Sequence, residues 1–344
     1  MAFHPLRVAA VEQLCADAVA VTFDVPADLA ATFAFRPGQS LTVRRDDERR
    51  TYSICAPAGS RPRIGVREVP GGQVSSWLVH KVRPGDTVQV APPSGTFTPD
   101  LTGAARHVLI AAGSGITPVL SIAASLLRVP GTQITILYGN RRASTVMFAE
   151  DLADLKDTYP DRLELVHLLS REAREADLLT GRLDAEKLRT LVPLLIDIPG
   201  VDHWWLCGPF GMVTDATAVL AGWQVPPARI HRELFWVDEA PPEPVRTIEP
   251  AGPGSAVTVQ LDGRTTALVV PAGQTVLEGA QRTRPDLPFA CKGGVCGTCR
   301  ARVVEGEVRM RRNFALDPAE LAAGYVLTCQ AVPISPKVIV DFDS

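Results

Sequence analysis

The sequence predicts three folded units in series: an N-terminal antiparallel β-barrel, a doubly wound α/β unit with a parallel sheet, and a small C-terminal unit built around a metal site. Three observations carry this. The first hundred or so residues read as short strands punctuated by Gly and Pro turns, the composition of a small barrel or sandwich. The next stretch alternates apolar runs with helical ones, which calls for a parallel sheet covered on both faces. Four of the seven cysteines, Cys291, Cys296, Cys299 and Cys329, lie close together near the C-terminus.

In the first unit, placed at residues 1–101, the strand candidates are 3–10, 19–25, 39–43, 49–54, 63–67 and 87–91. Pro37-Gly38, Gly71-Gly72 and Pro84-Gly85 mark turns between them. The second, 102–237, offers strands at 107–112, 133–138, 163–169, 203–207 and 229–235. Helices are predicted at 117–128, 146–158, 184–192 and 212–221. Residues 238–254 hold Pro241, Pro242, Pro244, Pro250 and Pro253 and read as an extended linker. The third unit, 255–344, opens with a hairpin of 257–261 and 266–270 across Asp262-Gly263. A short helix at 276–283, the cysteine loop and strands at 300–304 and 338–342 follow.

Composition narrows the function. Hydrophobic residues make up 46% of the 344 and the net charge is −3, enough apolar material for several cores. Nucleic acid binding would call for a basic excess that is missing. The apolar runs are too short to span a bilayer, and the N-terminus lacks the pattern of a signal peptide, so a cytoplasmic protein is expected. An odd number of cysteines with one tight cluster favours a metal site in a reducing compartment over disulfides.

The spacing Cys291-x4-Cys296-x2-Cys299 followed by Cys329 matches the plant-type [2Fe–2S] pattern. Three thiolates from one loop wrap the cluster and a fourth comes from elsewhere. Gly293, Gly294 and Gly297 let the backbone approach and aim N–H groups at the sulfurs. Zinc fits less well, because it prefers paired knuckles or histidine partners, and no His follows His231. Free buried thiols are the plain alternative.

Two further pairs of motifs are each weak alone. Arg50-Thr51-Tyr52-Ser53 ends a strand, and Gly72-Gln73-Val74-Ser75-Ser76-Trp77-Leu78 reads as a turn opening a helix. Gly113-Ser114-Gly115-Ile116-Thr117-Pro118 follows a buried strand and opens a helix, where exposed N–H groups suit phosphate. It lacks the third glycine of the dinucleotide fingerprint, with Pro118 in that place. Cys207-Gly208-Pro209 ends another buried strand; a Cys there is ordinarily a small hydrophobe. His4, His80, His107, His167, His203 and His231 share no motif and read as structural. No general acid–base pair or nucleophile elbow is visible.

Together the motifs resemble the ferredoxin–NADP reductase family, over essentially the whole chain. The order of flavin barrel, nicotinamide unit and C-terminal plant-type ferredoxin, a β-grasp domain, resembles the reductases that serve multicomponent oxygenases. The phrases Ala112–Ile122, Tyr138-Gly139-Asn140-Arg141, Gly181-Arg182-Leu183-Asp184 and Gly293–Cys299 are most similar to reductases of the phenylacetyl-CoA epoxidase type. The resemblance implies FAD, NADPH or NADH, and a [2Fe–2S] cluster, with an oxygenase component as electron acceptor.

By that resemblance Arg50 pairs with the flavin pyrophosphate, Tyr52 packs beside the ring system and Ser53 bonds near its N5. Gly72, Val74, Ser75 and Ser76 cradle the pyrophosphate, and Val66 and Arg67 run along the flavin. Phe235, with Glu233 and Trp236 nearby, is the candidate aromatic stacked on the flavin. Gly113, Gly115, Thr117 and Pro118 face Cys207, Gly208 and Pro209 across the nicotinamide, so that Ser53, Thr117 and Cys207 border the hydride-transfer point. The second strand ends at Arg141 with no carboxylate for a ribose 2′-hydroxyl. Ser170-Arg171-Glu172 is similar to the 2′-phosphate contact of plant-type reductases, which favours NADPH; Glu172 alone reads equally as a solvated loop residue. Pro93-Ser94-Gly95-Thr96-Phe97-Thr98 departs from the family by lacking a bulkier residue before the Phe. The alternatives are a reductase of a hybrid-cluster protein or soluble ferredoxin, and an electron carrier whose other domains have lost flavin.

Overall fold

The computed structural model describes residues 3–46, 48–173, 176–236, 254–289, 292–295, 297–316 and 318–344. Cys291, Cys296 and nearly all of the Pro-rich linker lie outside them. The chain forms two compact units, one of Met1–Phe3, Arg44–Thr51 and Phe235–Ser344, the other of His4–Val43 and Tyr52–Leu234.

The N-terminal strands are β1 (His4–Cys15), β2 (Ala18–Asp24), β3 (Ser40–Arg45), β4 (Glu48–Ser53), β5 (Arg63–Arg67) and β6 (Thr87–Val90). They form one sheet in the order β4-β3-β6-β1-β2-β5, and an antiparallel bridge from Ile54 to Ile64 joins its edges into a barrel. Alternate residues such as Leu6, Val8, Val19, Val21, Leu41, Val43 and Ile64 point inward and fill it. Helix α1 (Gln73–His80) covers the barrel with Val74 and Leu78. The expected β-barrel is therefore observed, with strands a residue or two from their predicted bounds except β1, which runs on to Cys15, five residues past its predicted end.

The α/β part has strands β7 (Arg106–Ala112), β8 (Gln133–Asn140), β9 (Leu163–Leu169), β10 (His203–Pro209) and β11 (Ile230–Trp236). Its helices are α2 (Ile116–Leu126), α3 (Ala149–Thr158), α4 (Ala185–Leu195) and α5 (Phe210–Gly222). The sheet order is β11-β10-β7-β8-β9, with β10, β7, β8 and β9 parallel. The chain winds outward from β7 through β8 to β9, then returns to β10 on the other side of β7. This reversal opens a crevice at the carboxyl ends of β7 and β10, where α/β sheets bind ligands. Helix α3 starts later than the predicted residue 146, because Phe148 takes a left-handed conformation (φ 58°) that cannot continue a helix backwards.

The last part pairs β12 (Ser255–Leu261) with β13 (Arg264–Val270) as the expected hairpin, turning at Asp262 (φ 52°) and Gly263 (φ 71°). Helix α6 (Val276–Ala280) is shorter than predicted. It starts at a capping box in which Thr275 Oγ1 accepts from Glu278 N–H and the Glu278 carboxylate accepts from Thr275 N–H. Then come β14 (Arg300–Glu305), β15 (Val308–Met310), α7 (Pro318–Ala322), β16 (Tyr325–Leu327), β17 (Ala331–Pro333) and β18 (Lys337–Asp341). The mixed sheet β13-β12-β18-β14-β16 surrounds a core of Val257, Val259, Val276, Leu277, Leu327 and Val340.

Three histidines that share no motif come together. His107, His203 and His231 sit at the amino ends of β7, β10 and β11. His203 Nδ1 lies 3.1 Å from His231 Nε2, the Trp205 indole N–H donates to His107 Nδ1 (3.3 Å), and His231 stacks on Trp205. Periodicity could not show this, because the three belong to different strands. No described helix is long and apolar enough to cross a membrane.

Candidate functional site

At the crevice, the end of β10 brings Cys207 fully inside. Its thiol donates to Glu233 Oε2 at 3.9 Å, and the Ser53 hydroxyl, at the end of β4, hydrogen-bonds the same carboxyl. Burial pushes Glu233 up to about 8, with Ser53 and then Cys207 opposing it. Burial also raises the Cys207 thiol, reinforced by Glu233. The group can therefore hold or release a proton near neutral pH, beside a thiol that stays protonated. In the sequence Glu233 stands out only as a neighbour of Phe235; nothing local marks it as the partner of two distant side chains.

The turns at Gly113–Pro118 and Cys207–Pro209 lie against each other. Gly115 packs so closely on the backbone at Cys207 that a Cβ would overlap the Cys207 carbonyl, and Gly208 N would be 2.8 Å from it. Helix α2 begins there with no side-chain cap, and the N–H of its first residue, Ile116, donates to the carbonyls of Gly113 and Ser114. Thr117 is 1% exposed and donates to the Ser114 carbonyl (2.8 Å), and its methyl would crowd any Cβ added to Gly65 of the barrel. Pro118 is buried in the first turn of α2, and Gly208 and Pro209 lead into α5.

Beyond β8 and β9, Ser170 N–H donates to Asn140 O (2.9 Å) and Arg171 N–H to Arg141 O (2.8 Å). Arg141 and Arg171 thus stand side by side, both exposed, at the carboxyl edge of the sheet. Glu172 is more than a solvated loop residue, since it accepts from Ala143 N–H (2.9 Å).

Among the flavin candidates, Gly72 precedes α1, which also lacks a side-chain cap, and a Cβ on Gly72 would lie 2.6 Å from Ser75 Oγ. Ser75 Oγ accepts from Val69 N–H, and Ser76 donates to Glu68. This tight, open helix start fits a pyrophosphate. Tyr52 packs against the barrel core. Val66 and Val74 are buried within that core. Arg67 reaches the Thr145 carbonyl, pairs with Asp17 (3.3 Å) and borders Gly113. Arg50 pairs with Glu48 (3.0 Å) and donates to the Phe289 carbonyl (3.2 Å) within its own unit. Phe235 is half-buried near the end of β11.

Of the four cluster cysteines, Cys299 and Cys329 are described and both are buried. Along the stretch from Cys291 to Cys299, Gly294 (φ 80°) and Gly297 (φ 66°) take the left-handed turns that let a loop fold back around a small inorganic core. The Gln330 amide donates to Cys329 Sγ (3.6 Å) and to the Lys292 carbonyl (2.7 Å). Small residues, buried thiols and an amide directed at sulfur fit a [2Fe–2S] cluster.

Comparison with known proteins agrees with this arrangement. Residues 5–98 match the oxidoreductase FAD-binding domain, 109–218 the oxidoreductase NAD-binding domain, and 259–333 the 2Fe-2S iron-sulfur cluster binding domain. The chain is 43% identical to a subunit of the 1,2-phenylacetyl-CoA epoxidase of Escherichia coli (strain K12), covering 99% of this chain and 98% of that one. It is 34% identical to the ferredoxin reductase component of 3-ketosteroid-9-alpha-monooxygenase of Rhodococcus rhodochrous, covering 98% and 96%. Its fold is similar to that of phthalate dioxygenase reductase, with a TM-score of 0.62 at 24% identity, covering 99% of this chain and 98% of the other. The chain belongs to the ferredoxin–NADP reductase superfamily, in the group of oxygenase reductases that join FAD-binding, NAD-binding and plant-type [2Fe–2S] domains in one polypeptide.

Proposed function

We propose that the chain takes hydride from NADPH beside Ser53, Cys207 and Glu233, and delivers the electrons through a cluster held by Cys291, Cys296, Cys299 and Cys329 to an oxygenase component. Phenylacetyl-CoA epoxidase is the acceptor favoured by the relative that matches end to end. Bound FAD would supply two-electron acceptance with one-electron release, and a bound [2Fe–2S] cluster would supply single-electron carriage. The chain's own residues position these groups. The uncapped start of α1, with Gly72, Ser75 and Ser76, holds the flavin pyrophosphate. Arg50 is assigned to the same pyrophosphate by its motif, and its fork suits phosphate. Gly113, Gly115 and Pro118 at α2 hold the nucleotide phosphates. Cys207, with Thr117, Gly208 and Pro209, bounds the nicotinamide, and Tyr52 and Phe235 bound the flavin ring. Glu233 holds a proton beside Ser53.

The observation that carries the reading is the meeting of Ser53, Cys207 and Glu233, three side chains from β4, β10 and β11, at the mouth of the crevice. The paired Arg141 and Arg171 beside Ser170 favour NADPH over NADH, because a guanidinium matches a 2′-phosphate. The domain boundaries proposed are residues 101/102, 237/238 and 254/255, and the compartment is the cytoplasm. Two measurements test the scheme. Purified protein should show flavin and iron–sulfur absorption that both bleach on anaerobic NADPH; cluster bands without flavin would leave only an electron carrier. Arg171→Ala should raise KM for NADPH at least about tenfold while leaving NADH nearly unchanged. Equal losses for both nucleotides would remove the 2′-phosphate assignment.

A further inference from the structure

Strand β4 is tied to the C-terminal part by three successive side chains. Arg49 Nη2 donates to Asp262 Oδ2 (2.8 Å), Arg50 Nη1 donates to the Phe289 carbonyl (3.2 Å), and the Thr51 and Thr298 hydroxyls hydrogen-bond each other (3.1 Å). These partners lie 213, 239 and 247 residues further along the chain. All six residues fall in the unit of Met1–Phe3, Arg44–Thr51 and Phe235–Ser344. The Arg50 guanidinium also stands 5.2 Å from the centre of the Phe289 ring, within reach of a cation–π contact.

Two of these contacts bracket the cysteine loop. Phe289 lies two residues before Cys291, and Thr298 lies between Cys296 and Cys299. Thr298 occupies the second position of a tight turn that Arg300 N–H closes on the Gly297 carbonyl (3.0 Å). Cys299 is held in the C-terminal core, where Thr328 donates to its carbonyl through N–H (3.1 Å) and Oγ1 (2.9 Å). At the other end of the hydroxyl pair, Thr51 is the one member of the Arg50-Thr51-Tyr52-Ser53 motif without a role in the proposed site. Alternate residues of a strand share a face, so Thr51 lies on the face of Ser53. One hydroxyl pair therefore connects the strand that carries the flavin motif to the residue next to a cluster cysteine.

We propose that Thr51 and Thr298 are positioning residues for electron delivery: their hydroxyl pair holds the Gly297–Arg300 turn on β4, so that the cluster loop keeps one place relative to the flavin motif. This rests on the flavin and cluster sites proposed above and gives a role to two residues that had none there. The test is a double-mutant cycle on the full-length, flavin- and cluster-loaded protein. It compares Thr51→Val, Thr298→Val and the double variant, with Thr51→Ser as the variant that keeps the hydroxyl. Hydrogen exchange at the Arg300 amide reports the turn itself. It should speed up about fivefold in each valine variant, the size of one lost hydrogen bond. In stopped flow with NADPH, flavin bleaching should keep its wild-type rate, while the iron–sulfur bleaching that follows slows about fivefold as the held population falls. The double variant should be no worse than either single one, and Thr51→Ser should behave as wild type. Wild-type exchange and wild-type cluster bleaching in the valine variants would overturn the proposal, as would additive losses in the double variant or a serine variant as slow as valine. Faster exchange with unchanged cluster bleaching would also overturn it, leaving the pair a purely structural bond, and slowed flavin bleaching would move the loss to hydride transfer and do the same. A wild-type protein whose absorbance does not bleach with NADPH would bring down the proposed function, and this role with it, while the exchange cycle would still report the bond.

Discussion

Glu233 shows how much of the chemistry rests on one side chain's surroundings. Burial lifts its carboxyl to about 8, so at pH 7 it is largely protonated beside Ser53 and Cys207. Its folded value lies above the ordinary value of 4.5. Its stabilising contribution is therefore complete below about pH 4.5 and is lost as pH rises through about 8. Glu233→Gln cannot ionise. The variant should lose the part of the fall in melting temperature that this carboxyl contributes between about pH 4.5 and pH 8, and stopped-flow flavin reduction by NADPH should lose any inflection near pH 8. A wild-type rate already flat across that range would show that the carboxyl is not in the path of the proton.

Gly115 makes a second prediction of the same kind. Its missing side chain is what lets the α2 turn lie against Cys207. Gly115→Ala should push the two turns apart and slow flavin reduction by NADPH by more than about tenfold, because small displacements at a reacting centre are costly. Flavin absorbance should be unchanged, since the barrel does not depend on this contact. These two residues also show the limits of reading a sequence. The glycine is visible from its spacing before a helix. The glutamate is not, because its meaning comes from Ser53 and Cys207, which lie far from it in the chain.

At the scale of elements, the sequence reveals those whose signal is local. Strands β7 to β10 are mainly apolar runs followed by helical periodicity, and that pattern places them to within a few residues. The barrel strands carry turn residues at their ends. By contrast β15, β16, β17 and α7, each 3 or 5 residues long, leave no local trace, because so short an element exists only through a partner distant in sequence. The histidine cluster is hidden for the same reason. Burial lowers both His107 and His231 to about 4, with His203 adding to the effect on each, while Asp202 opposes it at His107. Both are therefore neutral in the fold and ionise readily once unfolded. Their contribution is complete above about pH 6.5 and is lost as pH falls through about 4, the unfolded chain binding more protons in that window. Melting temperature should decline between pH 6.5 and pH 4, and His231→Phe, which keeps a ring on Trp205, should decline less steeply. Parallel curves for the two proteins would show that the acid sensitivity arises elsewhere.

The whole molecule is a division of labour, and its parts should separate by mutation. Cys299 and Cys329 sit in the core of the C-terminal part, among Leu277, Leu327 and Val340. Cys207, Ser53 and Glu233 belong to the unit of His4–Val43 and Tyr52–Leu234. Under the proposed assignment, the side chains beside the hydride-transfer point fall in one unit and the cluster cysteines in the other, with Arg50 and Phe235 of the flavin assignment falling in the cysteines' unit. Cys299→Ser should remove the iron–sulfur absorption and abolish electron delivery to an oxygenase acceptor, while NADPH still bleaches the flavin at about the wild-type rate. The serine is smaller than a cluster and sits in a packed core, so local melting of the C-terminal part is expected, and circular dichroism would report it as a partial loss of signal. Loss of flavin reduction along with the cluster would show instead that the two cofactor sites fold as a single cooperative body, and the modular scheme drawn from the cysteine spacing and the paired turns would fail.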